Sequence, residues 1–243
     1  MKIEQKIYFG TLVKRYKRFL ADVVLDDGTK VTVHCPNSGS MKGCAEPGYR
    51  VAVSDSENLK RKLRLTLEWV HNEKCWIGVN THRSNDLVSE AITQGQIKQL
   101  TGYSSLRREV KYGIENKSRI DLLLEDSIKG LCYVEVKNVS LVSSSGTYQF
   151  PDATTARGLK HINELLDVKR QGHRAVLIFV INRSDADIFE PAWEIDEKYS
   201  EALSDAVDQG LEVLAYQVKI DPPSAVIDRQ IDTKLSGYKS NES

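Results

Sequence analysis

The chain has 243 residues, 40% of them hydrophobic, with 34 basic and 34 acidic side chains and a formal net charge of zero. That is enough apolar material for one large core or two modest ones, and the balance excludes both a disordered chain and a polyanion binder that works by bulk charge alone. No run approaches the roughly 20 apolar residues of a membrane span, and Met1-Lys2-Ile3-Glu4-Gln5-Lys6 lacks a signal-peptide core, so a soluble, cytoplasmic protein with no membrane partner is expected.

From Ile7 to Val79 short apolar runs alternate with turn residues. Strands are expected over Ile7–Leu12, Phe19–Leu25, Lys30–Cys35, Arg50–Ser54, Leu63–Val70 and Trp76–Val79, cut by Asp26-Asp27-Gly28, Pro36-Asn37-Ser38-Gly39 and Glu46-Pro47-Gly48. Five or six short strands in such a span suggest a small closed barrel over residues 1–81. This part holds 14 basic and 9 acidic residues against 20 and 25 in the remainder, so it is the favoured landing surface for a polyanion. Within it, Lys14-Arg15-Tyr16-Lys17-Arg18-Phe19 interleaves four cations with two rings, and Lys60-Arg61-Lys62-Leu63-Arg64 adds four more cations. Cations that track phosphates beside rings that stack on bases suit non-specific nucleic-acid binding. Lys14, Arg15, Tyr16, Lys17, Arg18, Arg61, Lys62 and Arg64 are therefore candidate contacts, with a charged, solubilising surface as the alternative. The stretch from His34 to Met41 has the small residues of a phosphate-holding loop but not the Gly-Lys-Ser/Thr ending of a P-loop, and it reads as a structural turn.

The pattern changes at Thr81-His82-Arg83-Ser84-Asn85, which sets the boundary of a second domain over residues 82–220. A helix is expected after Asn85, taken as its N-cap, with Leu87, Val88, Ala91 and Ile92 on one face. Strands follow over Leu106–Gly113, Arg119–Glu125 and Leu131–Lys137. A helix from about Thr154 to Gln171 turns Leu159, Ile162, Leu165 and Leu166 inward, and the run from Ala175 to Ile181, apolar on both faces, marks a central strand. A helix over Glu197–Gln209 and a strand over Leu211–Val218 complete an α/β unit, and residues 221–243 read as a polar tail. Cys35, Cys44, Cys75 and Cys132 form no Cys-X-X-Cys pair and read as buried free thiols.

Chemistry concentrates in two of these strands. Asp121 is embedded in the apolar run Ile120-Leu122-Leu123-Leu124, and Glu135 and Lys137 in Tyr133-Val134-Val136, where charge is expensive unless paired or bound to a metal. Glu135 and Lys137 share a strand face, and the Asp126–Gly130 turn would bring Asp121 beside them. Two carboxylates and an ammonium suit metal-assisted phosphodiester hydrolysis, with Mg²⁺ or Mn²⁺ held by the carboxylates. Glu-X-Lys alone is weak, since it occurs four times in the chain, and a cross-strand Asp121–Lys137 ion pair is the competing reading. Arg157 and His161 share a helix face with Glu164; they would contact phosphate, complete a metal site, or form a solvated face. Glu90 flanks the first helix's apolar stripe as a further metal ligand or a surface glutamate.

Taken together, the stretches GTLVKRYKRFLADV, HCPNSGSMKG, RKLRLTLEWV, LVSEAI, LRREVKYGIENKSRIDLLLE, CYVEVKNVSLV, FPDATTARGLKHINEL and RAVLIFVI closely resemble the sugar fermentation stimulation protein A family. The resemblance implies an α/β (α+β) chain: an N-terminal OB-like β-barrel followed by a PD-(D/E)XK restriction-endonuclease-like domain. It implies catalytic residues Asp121, Glu135 and Lys137, with Asp121, Glu135 and Glu90 as the metal set. The proline that often precedes the aspartate is replaced by Ile120. The family is described as non-specific DNA binders linked to regulation of sugar, notably maltose, utilisation, so the implied function is a Mg-dependent DNA phosphodiesterase. The alternatives are a DNA-binding regulator without catalysis and an RNA-processing nuclease acting on RNA as its partner. Many nucleases of this type act as dimers, so a homodimer also stays open.

Overall fold

The computed structural model describes residues 1–236 except 114 and 116. The chain folds as an OB barrel followed by an α/β domain. The barrel strands are β1 (Ile7–Tyr16), β2 (Leu20–Leu25), β3 (Lys30–His34), β4 (Arg50–Asp55), β5 (Leu65–His71) and β6 (Trp76–Gly78). They run in the order β3-β2-β1-β4-β5-β6, and a single β3–β5 pairing, His34 to Thr66, closes the barrel. Leu12, Val23, Val33, Val51, Val53 and Leu67 fill it, from alternate positions along each strand.

The rest of the chain comprises α1 (Arg83–Thr93), β7 (Ser105–Tyr112), β8 (Ser118–Asp126), β9 (Gly130–Val139), β10 (Leu141–Val142), β11 (Tyr148–Phe150), α2 (Ala156–Arg170), β12 (Arg174–Ile181), β13 (Ile188–Pro191), α3 (Glu197–Asp208), β14 (Glu212–Asp221), β15 (Ser224–Gln230) and β16 (Asp232–Thr233). The main sheet has the order β15-β14-β12-β9-β8-β7, with β12 parallel to both β9 and β14. As the two-faced apolar run requires, Ala175 to Ile181 are all buried at its centre. One face carries α1 and packs on Ala52, Trp69 and Phe9 of the barrel, so the two parts share a core; the other face carries α2 and α3. Gly78 sits at that junction, its N–H on Asn182 O at 2.8 Å, and an added Cβ would lie 2.7 Å from Asn182 Oδ1.

Three expectations need correction. The expected polar tail over 221–243 instead turns at Pro222-Pro223 and returns as β15, antiparallel to β14, with Ala225 and Ile227 buried in the core, and its part over 237–243 lies outside the described residues. Residues 1–3 do not stay with the barrel: Lys2 bridges Ser224, Ile3 N–H donates to Pro223 O at 2.9 Å, and Ile3 joins the α1-side core. The first helix starts two residues before Asn85, after His82 with no side-chain cap, which puts Asn85 inside its first turn. No helix among the described residues is long and apolar enough to cross a membrane.

Candidate active site

The sheet loses its regularity where Asp121 lies. Side chains alternate along a regular strand, so residues two apart share a face. On β8, Leu122 and Leu124 pack in the α1-side core, yet Ile120 packs on the α2 side together with Leu123. On β7, Leu106 meets the α1-side core while Val110, four residues on, meets the α2-side core. Glu109, between them, has φ 53°, a left-handed conformation that costs a non-glycine residue about 1–3 kcal/mol. The β8–β9 ladder runs from Asp126–Gly130 to Leu122–Val134 and ends there, leaving Asp121 and Glu135 at the mouth of the parting strands.

That parting frees the carboxylates. Asp121 Oδ2 accepts the main-chain N–H of Val136 at 2.7 Å, and Oδ1 accepts Asn85 Nδ2 at 2.8 Å. Asn85 is delivered by a polar clasp in which Asn138 Oδ1 accepts from Ser84 Oγ at 2.9 Å and from Asn182 Nδ2 at 2.7 Å, tying the start of α1 to β9 and β12. Across the gap, Lys137 Nζ lies 2.6 Å from Glu135 Oε1 and 2.9 Å from His161 Nδ1. His161 Nδ1 also bonds Glu135 Oε1, which leaves His161 Nε2 to accept from Arg157 Nε at 3.3 Å. Glu135 is 3% exposed, and its second oxygen, Oε2, has no partner among the described residues. These side chains line an open cleft of about 530 Å³ together with Asp86 and Arg108, an ion pair at 2.7 Å.

The two carboxylates differ electrostatically. Burial, and then the Glu135 charge, push the Asp121 carboxyl up to about 6, against the pull of the Val136 and Asn85 bonds. Burial also opposes the Glu135 charge, but the His161 hydrogen bond and the Lys137 ammonium outweigh it and hold that carboxyl below the usual range. Glu135 is therefore the standing anion of the pair, and Asp121 is the member that gains most from a cation.

The structure thus gathers Asp121, Glu135, Lys137, Arg157 and His161, and the competing Asp121–Lys137 ion pair does not form because Lys137 bonds Glu135 instead. His161, expected among the nucleic-acid contacts, is 9% exposed and braces Glu135. Glu90 is not among the residues lining the cleft. It lies one turn beyond Asp86 on α1 and pairs with the Met1 amino group at 2.6 Å, so it is replaced there by Asn85 and Asp86. Asn85 was missed as a site residue because an asparagine before an apolar stripe resembles a cap.

The barrel cations have other partners. Arg15 donates to the carbonyls of Arg18 (3.1 Å), Ser40 (3.2 Å), Asn37 (2.8 Å) and Gly39 (3.0 Å), which fixes the His34–Met41 turn. Lys14 pairs with Asp22 at 3.7 Å and lies over Tyr16, whose hydroxyl bonds Asp22. Arg64 pairs with Asp55 at 2.7 Å. Lys17 and Arg18, with φ 47° and 63°, form the exposed tip of the β1–β2 hairpin, and Lys62 is also exposed. Arg61 lines a depression that shares His82 with the cleft.

The donor set fits a hard divalent cation. Glu135 Oε2 is a buried acceptor without a partner, and each Asp121 oxygen accepts one bond and retains a lone pair. Among the described residues no group of three His, Cys, Asp or Glu side chains has metal-binding geometry. Two carboxylates would leave the remaining positions of a divalent cation to water and phosphate oxygens.

Residues 82–224 match the family model described as the sugar fermentation stimulation protein RE domain, and residues 13–79 match that of the SfsA N-terminal OB domain. The chain is 55% identical over 213 residues to a sugar fermentation stimulation protein homolog of Pelobacter propionicus, covering 88% of this chain and 91% of the relative. It is 52% identical over 231 residues to the homolog of Shewanella denitrificans, covering 93% and 97%. Its fold is similar to the solved structure of Pyrococcus furiosus SfsA in complex with Ca²⁺, with a TM-score of 0.85 at 23% identity over 96% of this chain and 98% of that one.

Proposed function

This chain belongs to the sugar fermentation stimulation protein family, and from that premise and the cleft chemistry we propose that it is a DNA-binding, metal-dependent phosphodiesterase of the PD-(D/E)XK type. The observation that carries the reading is the Glu135 carboxylate: buried, anionic, clamped through Oε1 and unpartnered at Oε2, beside an Asp121 whose charge needs a cation. Glu135 and Asp121 would hold Mg²⁺ or Mn²⁺, and the ion would supply Lewis-acid polarisation of the phosphate and acidification of a bound water. The Ca²⁺ complex of the Pyrococcus furiosus relative supports a divalent ion in this family.

The chain's own groups supply the rest. Lys137, fixed by Glu135, is placed to donate to a phosphate oxygen as charge grows on it. Arg157 at the cleft wall and Arg61 in the adjoining depression attract the flanking phosphates. Contacts of this kind carry no base information, so binding is non-specific in sequence. A part in controlling sugar-utilisation genes, as the family name suggests, would use the same surface.

The test is incubation of the purified chain with single-stranded, duplex and branched DNA in Mg²⁺ or Mn²⁺, beside Asp121→Ala and Lys137→Ala. Cleavage by the wild-type chain alone supports the proposal. Binding without cleavage of any substrate would leave a DNA-binding protein and remove the enzyme.

A further inference from the structure

Outside the catalytic set, two buried polar atoms that face one another, Tyr112 OH and Glu164 Oε2, have no hydrogen-bond partner of normal geometry among the described residues. Tyr112 is 5% exposed, and Ser118 Oγ bonds the other Glu164 oxygen. Both line a groove of about 920 Å³ between α2 and the end of the β7–β8 pair, within the size range of small-molecule sites (~300–1,000 Å³).

The groove lies beside the cleft, and β9 and α2 contribute to both. On β9, Tyr133, Glu135 and Lys137 alternate onto one face; the cleft takes the last two and the groove takes Tyr133. On α2, His161 faces the cleft and Glu164, three residues on, faces the groove. Tyr112 and Tyr133 pair with ring centroids 5.6 Å apart. Lys160, Asn163 and Arg170 stand exposed along the rim, where Lys160 lies 3.5 Å from Glu164 and Arg170 pairs with Asp167 at 2.7 Å.

An unpaired nucleotide matches this set group by group. It offers a flat aromatic ring for the tyrosines, donors and acceptors at the base edge for Glu164 Oε2, Tyr112 OH and the Asn163 amide, and a phosphate for the rim cations. We propose that the groove receives one unpaired nucleobase beside the phosphate held in the cleft, so that the substrate is a strand with an unstacked nucleotide rather than a continuous duplex. This rests on the phosphodiesterase reading of the cleft.

The experiment measures binding of the full chain in EDTA to a short single-stranded DNA and to the same strand with an abasic centre, with 2-aminopurine at that centre as a third probe. The base-bearing strand should bind about tenfold tighter, as base–aromatic stacking of this kind provides, and 2-aminopurine emission should be quenched. Asn163→Ala, an exposed position that keeps the fold, and Tyr133→Leu should bring the base-bearing strand down to the level of the abasic one. Equal affinity for the two strands, or a preference that survives both substitutions, overturns the proposal. Cleavage is scored separately in Mg²⁺: a base preference without cleavage keeps the groove and removes the phosphodiesterase reading, and cleavage without base preference does the reverse.

Discussion

The barrel and the α/β domain each carry a conspicuous set of charges, and the two sets are built differently. In the barrel, Arg15 spends its guanidinium on four carbonyls, Lys14 leans on Asp22, and Arg64 closes on Asp55. In the cleft, Glu135 is clamped at one oxygen and left without a partner at the other, while Asp121 keeps its charge only against burial. Density of charge in a sequence therefore does not identify a site. A buried charge whose bonding is incomplete is the better pointer, because leaving it so is costly.

The sharpest test of that contrast substitutes one lysine in each region. Lys137→Ala should lower DNA cleavage by about 10²–10³, the usual loss when a fixed donor to developing charge is removed, whereas Lys17→Ala at the exposed hairpin tip should leave the chemical step unchanged in single-turnover assays.

Next in size is an effect on stability in the metal-free protein. Asp121 has a folded pKa of about 6 against an ordinary 3.8, so the folded state holds its proton more tightly. Below both values the group contributes nothing; as pH rises from 3.8 through 6 stability falls, and above 6 the buried charge costs about 3 kcal/mol. Glu135, whose carboxyl is held low, acts in the opposite sense and loses its contribution as pH falls through its folded value. Urea unfolding of Asp121→Asn should show a gain over wild type at neutral pH that vanishes near pH 4, and a gain independent of pH would contradict this.

Arg15→Ala should destabilise the chain by about 1–3 kcal/mol through the carbonyls it leaves unsatisfied, with the loss read as a lower urea midpoint at unchanged m-value. The smallest effect belongs to the free cations. Each of Lys17, Arg18 and Lys62 that meets a phosphate should reduce the salt slope of single-strand binding by about 0.7 when changed to alanine, with the fold intact.

Much of the architecture was legible because it is local. Turn residues such as Asp26-Asp27-Gly28 separate the barrel strands, and Ala175 to Ile181 has one sensible place, the middle of a sheet. The Asp121–Glu135–Lys137 cluster was legible for a similar reason, being charge set in apolar strands. Long-range partnerships were not. Arg15 resembled a phosphate contact until the turn at Asn37–Ser40 was folded against it, and Glu90 resembled a ligand until the amino terminus was found beside it. Asp221-Pro222-Pro223 has the composition of a tail, and only the burial of Ala225 and Ile227 against β14 and α1 makes it a hairpin. The reversal of side-chain alternation around Asp121 and Glu109, which opens the site, depends on three strands at once.

The central claim is that Glu135, with its unpartnered oxygen, makes the α/β cleft a metal-dependent DNA phosphodiesterase. Its most direct test follows cleavage and binding of one labelled single-stranded DNA in the same samples across a Mg²⁺ titration, for the wild-type chain and for Glu135→Gln, which keeps the shape and removes the charge. The account predicts Mg²⁺-dependent cleavage by the wild type and none by Glu135→Gln, with both chains binding the strand in EDTA. Equal cleavage by the two chains, or Mg²⁺-independent cleavage by either, would contradict it.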